Sequence, residues 1–141
     1  MILNGGEVKA LSGAVMIQQD VPFPEFTKPK LSPRERRLLE RADSKLVAAQ
    51  QSMAPQLPRD TPGWLDLLLN SEREISFTTE EVRILERVAN ACLTVLPVDD
   101  QHLSALVGLR PRGIESLRAA HRKLVLYLDD VAPSNGKNGR S

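Results

Sequence analysis

Apolar positions recur at helical spacing along most of the chain. Leu38, Leu39, Ala42, Leu46 and Ala49 fall on one side of a helix that the spacing predicts from about Ser32 to about Ser52. Ser32, Pro33 and Glu35 mark its start: a serine at the cap, a proline where its missing N–H costs nothing, and a glutamate placed to reach back to the cap. The same signal stands at Thr78-Thr79-Glu80-Glu81, ahead of the stripe Val82, Leu85, Val88, Ala89 and Cys92, and that helix should end near Leu96-Pro97. Between the two, Thr61-Pro62 opens a short helix crowded with Trp64, Leu65, Leu67, Leu68 and Leu69, which belongs in the core or in an interface. Further on, Leu103 and Val107, then Ile114 and Leu117, predict helices over about 100–107 and 111–129, the second continuing through Leu124, Val125 and Leu128.

The first thirty residues lack this pattern, because Gly5, Gly6, Gly13 and the prolines at 22, 24 and 29 interrupt every helical window. Two runs, Glu7–Leu11 and Ala14–Gln18, read as the strands of a short β-hairpin turning at Ser12-Gly13, with Ile75–Phe77 as a further short strand to pair with it. Val21–Pro29 reads as an extended arm whose Phe23 and Phe26 either cover the body of the protein or engage a partner. The tail from Pro133 to Ser141 has the Gly, Ser, Asn and Lys composition of a disordered segment. The expected fold class is therefore mainly α: a hairpin and arm over 1–30, a small helical domain over 31–132, and a tail over 133–141.

Composition narrows the function classes. A chain of 141 residues suits one domain, and Lys+Arg 19 against Asp+Glu 18 leaves a net charge of +1, so contact with nucleic acid must come from a local patch. The lone Cys92 cannot form an intramolecular disulfide, and no apolar run approaches a membrane span or a signal peptide; a soluble, cytoplasmic protein is expected. Aromatic residues make up 4%, too few for a platform that stacks unpaired bases. Neither His102 and His121 with Cys92 nor the glycines offer a metal or phosphate-loop spacing, and the carboxylates cluster at helix starts where capping accounts for them. No catalytic residue, metal or cofactor is expected, and the chain does not read as an enzyme.

The segment Asp100–Leu117 carries the functional signal. Leu103 and Val107 line a short first helix, Ser104 lets a second helix cross closely, Gly108 allows a tight corner, Leu109 plugs it, and Pro111 starts the second helix with Ile114 and Leu117 facing back. In this it resembles the generic helix-turn-helix of DNA-binding regulators, over about an eighth of the chain. With the helix from Thr79 upstream, 78–130 would form a three-helix module, with Asp99 or Asp100 capping the middle helix. The resemblance implies that the second helix enters the major groove of double-stranded DNA, with Arg110, Arg112 and Ser116 near base edges and Arg118 and Arg122 at phosphates. It also implies transcription regulation as a dimer, joined through Trp64 and its leucines or through Val125–Leu128.

The competing expectation is a non-enzymatic protein-protein interaction protein, such as an adaptor, an inhibitor of a larger machine like RNA polymerase, or an assembly component. Phe23, Phe26 and Trp64 would be its contact residues. Arg34, Arg36, Arg37 and Arg41 near the start of a helix oppose its dipole, and serve either as a solvated face or as a contact surface. A faint echo links Leu31–Ala42 to Phe77–Val88, which share Glu, Arg, Leu, Glu and Arg at matching places; an ancestral repeat and shared helix-start chemistry account for it equally.

Overall fold

The computed structural model describes residues 1–20, 30–94 and 113–140. In chain order these form β1 (Ile2–Asn4), α1 (Gly5–Asp20), α2 (Pro33–Met53), α3 (Trp64–Asn70), β2 (Glu72–Glu74), α4 (Thr79–Thr94) and α5 (Gly113–Arg140). The fold is mainly helical with a short two-stranded antiparallel sheet, in which Ile2 faces Glu74, Leu3 faces Arg73 and Asn4 faces Glu72.

Four long helices surround one apolar interior. α1 packs on α2, α4 and α5, α2 packs on α4, and α4 packs on α5, while the short α3 closes the N-terminal end of α1. The interior is built from Val8, Leu11 and Val15 of α1, Leu39 and Leu46 of α2, Val82, Leu85 and Val88 of α4, and Leu117 and Leu124 of α5. Each such side chain contributes about 2 kcal/mol through removal from water.

The N-terminal region overturns the hairpin expectation. Residues 5–20 are one helix, with Ser12 and Gly13 in its middle, and 1–20 belong to the core of the domain, while the arm expected over Val21–Pro29 lies outside the described residues. α1 is buried on most sides, and its less buried face, Lys9, Ser12, Met16 and Gln19, mixes polar, small and apolar side chains, so the contrast that periodicity reads is weak. Its glycines let other backbones approach: a Cβ on Gly5 would lie 1.9 Å from the Leu68 carbonyl oxygen of α3, and one on Gly6 would lie 3.0 Å from Ser116 Oγ of α5. The strand expected at Ile75–Phe77 instead forms at Glu72–Glu74, and Ile75 is buried in the core. At the other end, α5 runs on to Arg140, so residues 133–140, read from sequence as a disordered tail, are helical.

Three helix starts share one construction. Asn4 N–H donates to Glu7 Oε1 and Glu7 N–H to Asn4 Oδ1, both at 2.8 Å. Ser32 and Glu35 exchange the same pair of bonds at 2.9 and 3.1 Å, and Thr78 and Glu81 at 2.8 and 3.1 Å. These are capping boxes, each satisfying backbone donors that a helix start would leave orphaned. In every case the capping glutamate also takes a cation from a distant helix: Lys123 of α5 on Glu7 at 2.7 Å, Arg87 of α4 on Glu35 at 2.5 Å, and Lys45 of α2 on Glu81 at 2.7 Å. α2 and α4 thus pin each other's starts. Because 35 meets 87 while 45 meets 81, the two helices run antiparallel.

The caps differ in their electrostatics. Glu35 is held below its ordinary value of 4.5 chiefly by the Ser32 N–H, with Arg87 adding to it against a smaller opposing effect of desolvation. For Glu81 desolvation is the largest influence and pushes upward. The bonds from Lys45 and Thr78 and the charge of Lys45 together outweigh it, and the carboxyl lies below 4.5. Asp43, which accepts from Ser12 Oγ at 3.0 Å, goes the other way: desolvation raises it above 3.8 and the serine bond only partly offsets this.

Candidate nucleic-acid interface

α5 is held on one side and open on the other. Leu117, Ala120 and Leu124 recur at helical spacing and are completely buried against α1 and α4. His121 Nε2 meets Glu86 Oε2 of α4 at 2.9 Å, and Lys123 Nζ is bound to both Glu7 and the Ile2 carbonyl, the latter at 3.0 Å. These contacts fix the rotation of the helix. They leave Glu115, Arg118, Arg122 and Leu126 exposed on its outer side.

Arg118 and Arg122, expected at phosphates, are thus on the surface one turn apart. Neither forms a bond to another described residue, and a like-charged pair at this spacing costs a few tenths of a kcal/mol in an isolated helix. Ser116, expected to point outward near base edges, is half-buried where α5 crosses α1 at Gly6, and so acts as a small residue at a helix crossing. Arg110 and Arg112, and the whole predicted helix over 100–107 with its Gly108 corner, lie outside the described residues. Lys123, part of the local excess of positive charge read from the sequence, is neutralised by Glu7.

The residues expected to contact a protein partner are also redistributed. Phe23 and Phe26 lie outside the described residues. Trp64 is half-buried against the core, with the Arg59 guanidinium 5.4 Å from its ring centroid, so the ring is not a free anchor. Its neighbours Leu65 and Leu67 are the exposed ones on α3, at 49% and 52%. Beside them, Pro62, Gly63, Asp66, Leu67, Asn70 and Ser71 line an open hollow of about 580 Å³. Gly63 supplies the left-handed turn into α3 at φ 81°, which its lack of a side chain permits.

A second basic surface was only half visible beforehand. Arg34 of α2 and Arg83 and Arg87 of α4 line a groove of about 420 Å³ with Ser32, Glu35, Leu38, Glu80 and Ile84. The sequence marks the arginines at the start of α2 but not their juxtaposition with Arg83 and Arg87, since that depends on the antiparallel pairing of the two helices.

Burial and pairing set the state of the reactive groups in the interior. Cys92 sits on the apolar stripe of α4, and burial pushes its thiol up to about 11, far from a thiolate nucleophile. Glu7 and Glu81 are buried, but both are committed to capping and ion pairing. Among the described residues no group of His, Cys, Asp and Glu has the arrangement to hold a metal ion, and no helix is long and apolar enough to cross a membrane. Comparison of the chain with protein-family models, with curated proteins and with solved structures returned no match.

Proposed function

We propose that the protein is a non-enzymatic DNA-binding protein that presents the start of α5 to duplex DNA, in the manner of a helix-turn-helix regulator. The observation that carries this reading is the pair Arg118 and Arg122, exposed and without an ion-pair partner among the described residues, on a helix whose opposite side is locked by Leu117, Ala120 and Leu124. A rigid helix bearing free guanidinium groups suits a phosphate backbone, which rewards both their charge and their forked donors. The close packing of α4 on α5 supplies two of the helices that a three-helix module needs. Reversing both residues, Arg118→Glu with Arg122→Glu, should abolish the gel shift of a mixed-sequence duplex that the unmodified protein gives at low salt. A wild-type protein that gives no shift at low salt overturns the reading.

A second reading, an interaction scaffold, is favoured by the exposed Leu65 and Leu67 on α3. It is tested on those residues rather than by removing the N-terminal thirty, since that deletion would take α1 out of the core. Leu65→Ser with Leu67→Ser should lower the sedimentation mass of a self-associated species while leaving the helical signal intact; an unchanged mass removes self-association through α3.

A further inference from the structure

We infer that the groove between α2 and α4 is a second phosphate-backbone contact, through which the same duplex that meets α5 is gripped along a neighbouring face. The inference rests on the DNA-binding reading but uses different residues. Arg34, Arg37 and Arg41 are spaced so as to share one stripe of α2, and Arg34 places that stripe at the groove, opposite Arg83. All four are exposed, and none forms an ion pair or hydrogen bond with another described residue. Arg87 and Glu35 bind each other, so among the described residues Glu80 is the single acid lining the groove without an ion-pair partner. In a chain whose net charge is +1, this is a local concentration of positive charge rather than an average property.

The position is also right. α4 packs against both α2 and α5, so the arginines lie on successive helices around one side of the bundle. Arg118 is on the α4 edge of α5, one turn before His121, which reaches Glu86 of α4.

The chemistry favours a phosphate backbone over an acidic protein. A stable protein contact needs an apolar anchor, and among the described residues none of the exposed large hydrophobic side chains lines the groove. Among the described residues no aromatic side chain lines it either, so it offers no stacking platform of the kind that unpaired bases use. What remains is a shallow row of guanidinium groups, fit for charge-assisted bonds to phosphate oxygens without base selection.

The test is fluorescence anisotropy on a mixed-sequence duplex across a salt series, with polyglutamate as a parallel probe. Arg34→Gln with Arg83→Gln should weaken duplex binding about tenfold at low salt and flatten the plot of log affinity against log salt by about 2. Arg37→Gln with Arg41→Gln should act in the same direction, giving a second readout at sites free of packing. Circular dichroism should report unchanged folding for both. If both variants bind the duplex with wild-type affinity and slope while Arg118→Glu with Arg122→Glu does not, the groove is no contact although the α5 reading stands. A wild-type protein that ignores the duplex overturns both, as does one that binds polyglutamate instead.

Discussion

α1 and α4 are both sixteen residues long, pack on each other, and begin with the same capping box, yet only one of them is legible in the sequence. α4 lies at the surface of the bundle, and its exposed Arg83, Arg87 and Asn90 contrast with a buried stripe. α1 has neighbours on most sides, so small and apolar residues dominate it, and its one outer face, Lys9, Ser12, Met16 and Gln19, includes an exposed methionine that weakens the contrast. Glycine, which normally argues against a helix, is used here to let α3 and α5 come close. Periodicity therefore measures the difference between two faces rather than helicity itself, and a helix at the centre of a small domain is the one it hides.

The comparison can be broken most decisively at the core. Leu11→Ala in α1 and Leu85→Ala in α4 remove equally buried side chains and should each cost about 3 kcal/mol in urea unfolding. A loss below about 1 kcal/mol for Leu11→Ala alone would mean that α1 is peripheral after all. Gly5→Ala should cost about 2 to 3 kcal/mol, because its Cβ meets a backbone oxygen that can yield only by moving α3. A stability equal to wild type would show that α3 is not held where it lies.

Smaller effects come from the charges at the helix starts. Glu81→Gln keeps a capping side chain but loses the ion pair with Lys45, and should cost about 1 to 2 kcal/mol at neutral pH. Since the folded protein holds Glu81 below 4.5, the stability it supplies is complete above that value and is lost as pH falls through the lower folded value. The melting temperatures of wild type and Glu81→Gln should therefore converge in acid. Asp43 has the opposite sign. Its folded value is raised, so its ionised form weakens the fold above 3.8, and protonation relieves the penalty. Asp43→Asn, which still accepts from Ser12, should leave the melting temperature at neutral pH unchanged or slightly higher, while a clear drop would mean that its charge is used elsewhere.

Much of the frame was readable for specific physical reasons. Ser32-Pro33-Glu35 and Thr78-Glu81 locate two helix starts because local hydrogen bonds write them. Asn4-Glu7 is written in the same chemistry, but the glycines between them obscured it. The strand at Glu72–Glu74 is exposed throughout and has no alternation to read; Leu3 and Ile75 around it supply the burial instead. On α5, the exposure of Arg118 and Arg122 was legible because the stripe of Leu117, Ala120 and Leu124 defines its own opposite face. Ser116 was misplaced because the close crossing of α5 over Gly6 is a tertiary fact, and the α2–α4 groove was missed for the same reason.

The union of Glu7 with Lys123 also bears on how the chain is made. The two residues are 116 positions apart, so at a synthesis rate of about 5 to 20 residues per second the ribosome needs on the order of ten seconds to deliver the partner of the first helix. During that interval α1, largely apolar, has emerged without α5, the last of the helices that pack on it. Slowing elongation between α1 and α5 should lower the soluble yield more than an equal delay placed after α5.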